Sequence, residues 1–253
     1  MNRKYPLLWA LLLAAICLTK PIFAKPDPYL VATQAKGGSH LLLKVLKMID
    51  QPRPYKLFAH YDQENFSPHL IDDCYKNGAI PRLHLFAPKF TYEYLHAHHS
   101  EFKVIVILRD LRDAYVSYAH WIEKDPNTTE EIKINRAFED QGYFQMSSNL
   151  SLFLDDPRFY VIRFEDLVGP KGGGDKKRQT QTIYNLAAYI GMPISYAKAS
   201  KLGDDLFGGK TMTFRKGQIG SWNEACNEEQ KSWFKEHFAS ELIRLGYEED
   251  YDW

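Results

Sequence analysis

A basic excess is missing from this 253-residue chain: 32 Lys and Arg balance 32 Asp and Glu. Proteins that grip nucleic-acid backbones usually show a basic patch or stripe. Nucleic acid is therefore not an expected partner, and any basic patch is local. Long apolar runs are missing too. No stretch reaches 18 consecutive apolar residues, about the length that crosses a bilayer as a helix. Cysteine is scarce, at three residues. There is no internal repeat and no composition of the disordered kind. What is present is ordinary: 45% hydrophobic and 25% charged residues, enough chain for one large α/β domain with a full core.

The first 24 residues differ in kind. Arg3 and Lys4 make a positive start, Leu7 to Leu18 is apolar, and Pro21-Ile-Phe-Ala24 ends the segment. This pattern predicts a secretory signal peptide over 1–24 and a mature domain over 25–253. The protein is then exported, periplasmic or secreted, with no stable membrane span after cleavage. An uncleaved anchor or a misplaced start codon is the other reading. Cleavage leaves 29 basic and 32 acidic residues, a net charge of −3. It also leaves two cysteines, Cys74 and Cys226. These form one disulfide or stay as two free thiols; the sequence does not separate the two cases.

Tyr29 to Ile49 organises the rest of the chain. Tyr29 to Thr33 reads as a buried strand and Lys36-Gly37-Gly38-Ser39 as a turn. Leu41 to Ile49, apolar at almost every position, reads as a helix buried on most sides. Such a turn aims free N–H groups and a helix N-terminus at one point, which suits a phosphate. It is not a Walker A turn, since the lysine precedes the glycines.

Further strands are expected at 81–88, 102–108 and 158–162. Helices are expected at 92–99, 114–123, across most of 130–154, and at 176–190. Asn227 to Gln230 is a capping box that opens a last helix to about Leu245. Residues 169–174 and 203–209 read as loops, the first flexible and on the surface. Strands that alternate with helices predict βαβ units, a central mainly parallel sheet and a three-layer α/β/α domain. Sites in such sheets lie at the carboxyl ends of the strands. Lys36, His84 and Arg109 all fall there.

Two more groups carry charge in a suggestive pattern. Arg109-Asp-Leu-Arg-Asp113-Ala-Tyr-Val-Ser117 puts an arginine at the end of a buried strand and a hydroxyl one or two turns into the next helix. Both could hold one phosphate. The plain reading is an Arg109–Asp113 ion pair that caps the helix. Phe214-Arg215-Lys216-Gly217-Gln-Ile-Gly220-Ser-Trp222 sets two cations beside two glycines between aromatics. It suits an anionic nucleotide, or is a solvated basic loop.

Together these motifs resemble the sulfotransferases that use 3′-phosphoadenosine 5′-phosphosulfate (PAPS), over roughly residues 29–247. Lys36-Gly37-Gly38-Ser39-His40 resembles their Lys-Ser-Gly-Thr-Thr loop. Arg109 to Ser117 resembles their Arg-Asn-Pro-x-Asp-x-x-x-Ser segment. Phe164-Glu-Asp-Leu167 resembles Tyr-Glu-Asp-Leu, and Arg215-Lys216-Gly217-x-x-Gly220-Ser-Trp222 resembles Arg-Lys-Gly-x-x-Gly-Asp-Trp. The resemblance implies a P-loop-like architecture and a donor held in three places. Lys36 and the turn amides of Gly37 to His40 take the 5′ end. Arg109, Ser117, Arg215, Lys216 and Gly217 take the 3′-phosphate, and Phe164 lies near the adenine. It singles out one histidine of nine: Arg82-Leu-His84-Leu-Phe86 matches Lys-Thr-His-Leu-Pro, which makes His84 the general base. His96, His98 and His99 read as a solvated helix face, not a metal site.

The departures are Gly37 for Ser, Leu41 for Trp, Arg82 for Lys, Phe86 for Pro, Asp110 for Asn, Leu111 for Pro and Ser221 for Asp. The implied reaction is sulfuryl transfer to a hydroxyl or amine, with PAP as product and no metal. The acceptor is a small molecule, glycan, lipid or protein. The other readings are a P-loop-like kinase or NTPase, and a non-catalytic secreted nucleotide- or glycan-binding protein on the same fold.

Overall fold

The structure is a computed structural model, and it describes residues 29–50, 82–84, 89, 92, 93, 96, 97, 102–208 and 215–253. The signal segment and Cys74 lie outside the described residues. Among the described residues four strands, β1 (Tyr29–Thr33), β2 (Arg82–His84), β3 (Lys103–Leu108) and β4 (Phe159–Arg163), form one sheet in the order β2-β1-β3-β4, every pair parallel. The side-chain period of two along each strand divides the core. Leu30, Ala32, Val104, Val106 and Leu108 face one side; Tyr29, Val31, Ile105, Ile107 and Ile162 face the other. All ten are buried, each Val, Leu and Ile among them contributing about 1.5–3 kcal/mol by the usual area scale.

Helices cover both faces, which makes the three-layer α/β/α fold. On the first side lie α2 (Leu111–Ile122), α3 (Glu130–Glu139), α4 (Gln141–Ser147) and α9 (Glu228–Arg244). On the second lie α1 (Ser39–Ile49), α5 (Phe164–Val168), α6 (Lys176–Tyr189) and α7 (Tyr196–Asp204). A short α8 (Trp222–Ala225) precedes α9. The capping box is present: Asn227 accepts from the Gln230 N–H and Gln230 answers to the Asn227 N–H.

Helix α1 is buried on most sides, as expected: Leu42, Val45, Leu46 and Ile49 face the core, and between 41 and 49 only Lys47 is exposed. Its many leucines cover a wide stripe. Other expectations are corrected. Helix α7 runs through Gly203 and Asp204, where the composition predicts loop; Ser195 caps it through the Lys198 N–H. The glycine-rich 169–174 stretch is a docked turn and not a free loop. Gly172 and Gly174 both donate to the Gly169 carbonyl, and the Ile219 N–H bonds the Gly172 carbonyl at 3.0 Å. A Cβ at Gly172 would lie 2.3 Å from Val168 and 2.6 Å from the Gly217 oxygen. Cys226 is a free, buried thiol, and burial pushes it up to about 12.

The strand order fixes where a ligand binds. From β1 the next strand lies to one side, and from β3 the next lies to the other. The carboxyl ends of β1 and β3 therefore flank a topological switch point, where open α/β sheets leave a crevice.

Candidate functional site

The Lys36 turn leaves β1 at this crevice. Its first bond ties it down: the Gly37 N–H donates to the Gln34 carbonyl at 3.0 Å. Of the turn amides read as phosphate donors, that of Gly37 is thus already bonded. Lys36 itself takes the left-handed conformation, φ 62°, which costs a non-glycine residue strain. Gly38 follows at φ 103°, and a Cβ there would lie 2.6 Å from the Phe164 ring. Only glycine fits both demands.

Helix α1 then begins with no side-chain cap and no acidic residue in its first turn. The N–H groups of Ser39 and His40 make no hydrogen bond to a described residue. They present the positive end of the helix dipole to the crevice. Ser39 is buried, His40 exposed.

The electrostatics converge on one side chain. The Lys36 ammonium is lowered to about 8 by burial, then by the charges of Arg109, Arg215 and Lys124. Desolvation, Arg82 and Lys36 likewise lower His40. Arg215 is lowered by burial, in part offset by Glu130. Burial and neighbouring like charge, not a carboxylate partner, dominate at Lys36 and His40, the pattern of a site that an anion can enter.

Arg109 occupies the end of β3, buried, with its N–H on the Gln34 side-chain oxygen at 3.1 Å. Its guanidinium lies 4.4 Å from the Phe164 ring centre, 3.5 Å from Asp113 and 2.7 Å from the Gln218 carbonyl. The Arg109–Asp113 pair therefore exists, but it does not cap α2. Asp110 does, by accepting from the Arg112 N–H. Arg109 Nε is buried without a hydrogen-bond partner among the described residues. Such an orphan is costly unless a ligand answers it.

The Arg215 segment reaches the same end of the sheet by three bonds to Asp113, which the sequence reading pairs with Arg109 alone. Asp113 accepts from the Gly220 N–H (2.8 Å), the Ser221 hydroxyl (2.9 Å) and the Trp222 N–H (3.0 Å). Gln218 takes the Arg109 bond on its carbonyl and donates its side-chain amide to the Lys171 carbonyl at 2.9 Å. Gly217 sits at φ 63°, while Lys216 is exposed. Ser117 is half-buried on α2, two turns beyond Arg109, and its hydroxyl has no partner among the described residues.

His84 ends β2 in register with Thr33, three residues before Lys36; its side chain lies outside the described residues. Beside it in β2, burial lowers the Arg82 guanidinium to about 10. Leu41 is half-buried against the second core. Trp121 is 40% exposed, 5.9 Å from the Lys36 ammonium.

A parallel sheet whose switch point brings an uncapped helix N-terminus together with Lys36 and Arg109, and Arg215 near them, makes a site suited to an anionic ligand. The sulfotransferase domain profile matches residues 26–246, so this chain belongs to the sulfotransferase family. Sulfotransferase 6B1 of Mus musculus is 25% identical over 260 residues, covering 89% of this chain and 81% of its own. Sulfotransferase 6B1 of Danio rerio is 22% identical over 173 residues, covering 59% of this chain. This chain spans 56% of that fish protein's length. Mouse sulfotransferase SULT7A1, solved in complex with PAP, superposes with a TM-score of 0.62 at 19% identity, over 85% of this chain and 84% of its own. That likeness shows the fold.

Proposed function

We propose that this chain transfers a sulfuryl group from PAPS to a hydroxyl or amine of a small-molecule, glycan, lipid or protein acceptor, with PAP as product. The observation that carries this reading is the pairing across one switch point of the Lys36 turn with the Asp113-anchored Arg215 segment. One element suits the 5′ end of the donor and the other a phosphate some distance away. The residues fit the donor's charge: an uncapped helix, Lys36 and Arg215 both lowered by burial beside Arg109, an orphaned Arg109 Nε, and a turn that packs against Phe164 because Gly38 has no side chain.

In the reaction the acceptor oxygen or nitrogen forms a bond to sulfur as the bond from sulfur to the bridging oxygen breaks. His84 takes the acceptor proton as general base. Lys36 and the N–H groups of Ser39 and His40 stabilise the charge gathering on the departing phosphate. Arg109, Ser117, Arg215 and the Gly217 segment hold the 3′-phosphate, and Phe164 backs the Arg109 guanidinium beside the base. Cationic side chains and backbone dipoles supply the charge stabilisation that magnesium supplies in kinases. The chain is proposed to work outside the cytosol, as residues 25–253, once the 1–24 signal is removed.

The test is transfer of labelled sulfate from PAPS across a panel of phenols, sugars, sterols and peptides. The expected result is transfer to one class, lost in His84→Ala while PAP binding persists. Unchanged turnover in that variant would remove His84 from the reaction. Mass analysis of the exported chain should give an N-terminus at Lys25.

A further inference from the structure

Gln34 belongs to none of the motifs in the sequence, yet it touches both halves of the site. It is fully buried at the end of β1. Its N–H donates to the Ile107 carbonyl at 3.3 Å, which seals it against β3. Its carbonyl accepts from Gly37 at 3.0 Å and so sets the start of the Lys36 turn. Its side-chain Oε1 accepts from the Arg109 N–H at 3.1 Å. One residue thus holds the turn on one side of the crevice and the arginine on the other.

Because a backbone N–H can only donate, the Arg109 contact fixes which carboxamide atom is oxygen. The other atom, Nε2, is then a donor, and it is buried with no hydrogen-bond partner among the described residues. It is bonded through this carboxamide to the residue whose own Nε is also orphaned. Two unanswered donors joined by one hydrogen bond are what an oxygen-rich ligand satisfies.

Gln34 also accounts for the missing side chain at 37. A Cβ on Gly37 would lie 2.9 Å from Gln34 Cβ, 3.0 Å from its carbonyl and 3.2 Å from Oε1. The glutamine side chain fills the space that a serine there would enter. The Gly37 departure thus has a physical reason: a long amide from the strand end occupies the place of a short hydroxyl from the turn.

We propose that Gln34 is a donor-site residue: with nucleotide bound, its carboxamide N–H hydrogen-bonds the 5′-phosphate while Oε1 keeps Arg109 in register. This rests on the reading of the crevice as a nucleotide site. The probes are PAP, adenosine 5′-phosphate and adenosine 3′-phosphate, titrated calorimetrically into the full mature chain and into Gln34→Met and Gln34→Glu. Methionine keeps the volume and loses both polar atoms; glutamate keeps the acceptor for Arg109 and loses the donor.

Both variants should bind PAP and adenosine 5′-phosphate about tenfold or more weakly, the usual scale for a hydrogen bond to a charged group. Binding of adenosine 3′-phosphate to Gln34→Glu should stay within about threefold, since the Arg109 bond survives. PAP affinity within twofold of the parent in both variants would overturn the proposal, as would equal losses for the two monophosphates in Gln34→Glu, which mark a merely structural residue. A parent chain that binds none of the three probes overturns the nucleotide reading itself, and the Gln34 role with it. Thermal unfolding without ligand checks that both variants fold; if Gln34→Met does not, Gln34→Glu alone decides.

Discussion

The Ser221 hydroxyl donates to Asp113 Oδ1 at 2.9 Å across 108 positions of chain. The same carboxylate accepts from the N–H groups of Gly220 and Trp222. Asp113 is fully buried, and Arg109 at 3.5 Å supplies the opposing charge. An aspartate at 221, as the family motif has it, would set two carboxylates together; the serine donates where the acid would repel.

Asp113→Asn turns one of these acceptor oxygens into an NH₂ that faces donors. The expected cost is about 2–4 kcal/mol, the range for a buried donor or charge left unanswered. Urea unfolding measures it. Affinity for PAP should fall with stability, because the loop that carries Arg215 loses its anchor. Stability within about 0.5 kcal/mol of the parent, the usual range for an uninvolved surface position, would count against this role.

Lys36 links stability to pH. The ammonium sits at about 8 in the folded chain against an ordinary 10.5. Between those values the unfolded chain binds more protons, so folding stability rises as the pH climbs from 8 to 10.5. Below 8 the buried charge is a full penalty. Lys36→Met should therefore melt higher than the parent at pH 7 and transfer no sulfate. In the parent, affinity for PAP should weaken as the pH passes 8 and the charge is lost. Calorimetry at pH 7 and pH 9 reads this directly, and a pH-independent affinity would take Lys36 out of the binding site.

Gly38→Ala meets two obstacles at once, a left-handed backbone and the Phe164 ring at 2.6 Å. The expected destabilisation is about 2–4 kcal/mol, from backbone strain and overpacking together. The same change at Gly208, where nothing lies within 4 Å of the added carbon, tests the backbone contribution alone.

Arg112 is buried behind the site between two rings, its guanidinium 3.9 Å from the Trp222 ring centre and 4.6 Å from that of Trp253. Asp110 and Glu248 pair with it. Trp253→Ala should cost about 1–3 kcal/mol through the lost cation–π face and packing. Arg112→Lys should also destabilise, because an ammonium cannot stack and fork at once. Chemical unfolding followed by tryptophan fluorescence reports both.

Much of the fold is legible in the sequence because strands and helices write their period into the chain. The apolar run from Lys103 to Leu108 and the Asn227 box both read correctly. Phosphate-site residues are legible as motifs, because charge beside glycine at a strand end is a local pattern. The long-range bonds that Gln34, Asp113 and Gln218 make are not. Each acts by bridging segments 75 or more positions apart, and no local period marks a bridge. Helix α7 is hidden by its own composition: Gly203 and the acids after it outweigh the Ser195 cap. The 169–174 turn reads as free because glycine signals a loop, whereas here it signals close approach of another backbone.

The most direct test of the donor site is discrimination of the 3′-phosphate. The mature chain is titrated with PAP and with adenosine 5′-phosphate under one salt condition. If Arg109, Arg215 and Ser117 grip a 3′-phosphate, PAP binds about a hundredfold more tightly, the scale of one or two charge-assisted contacts. Equal affinity for the two nucleotides would contradict it.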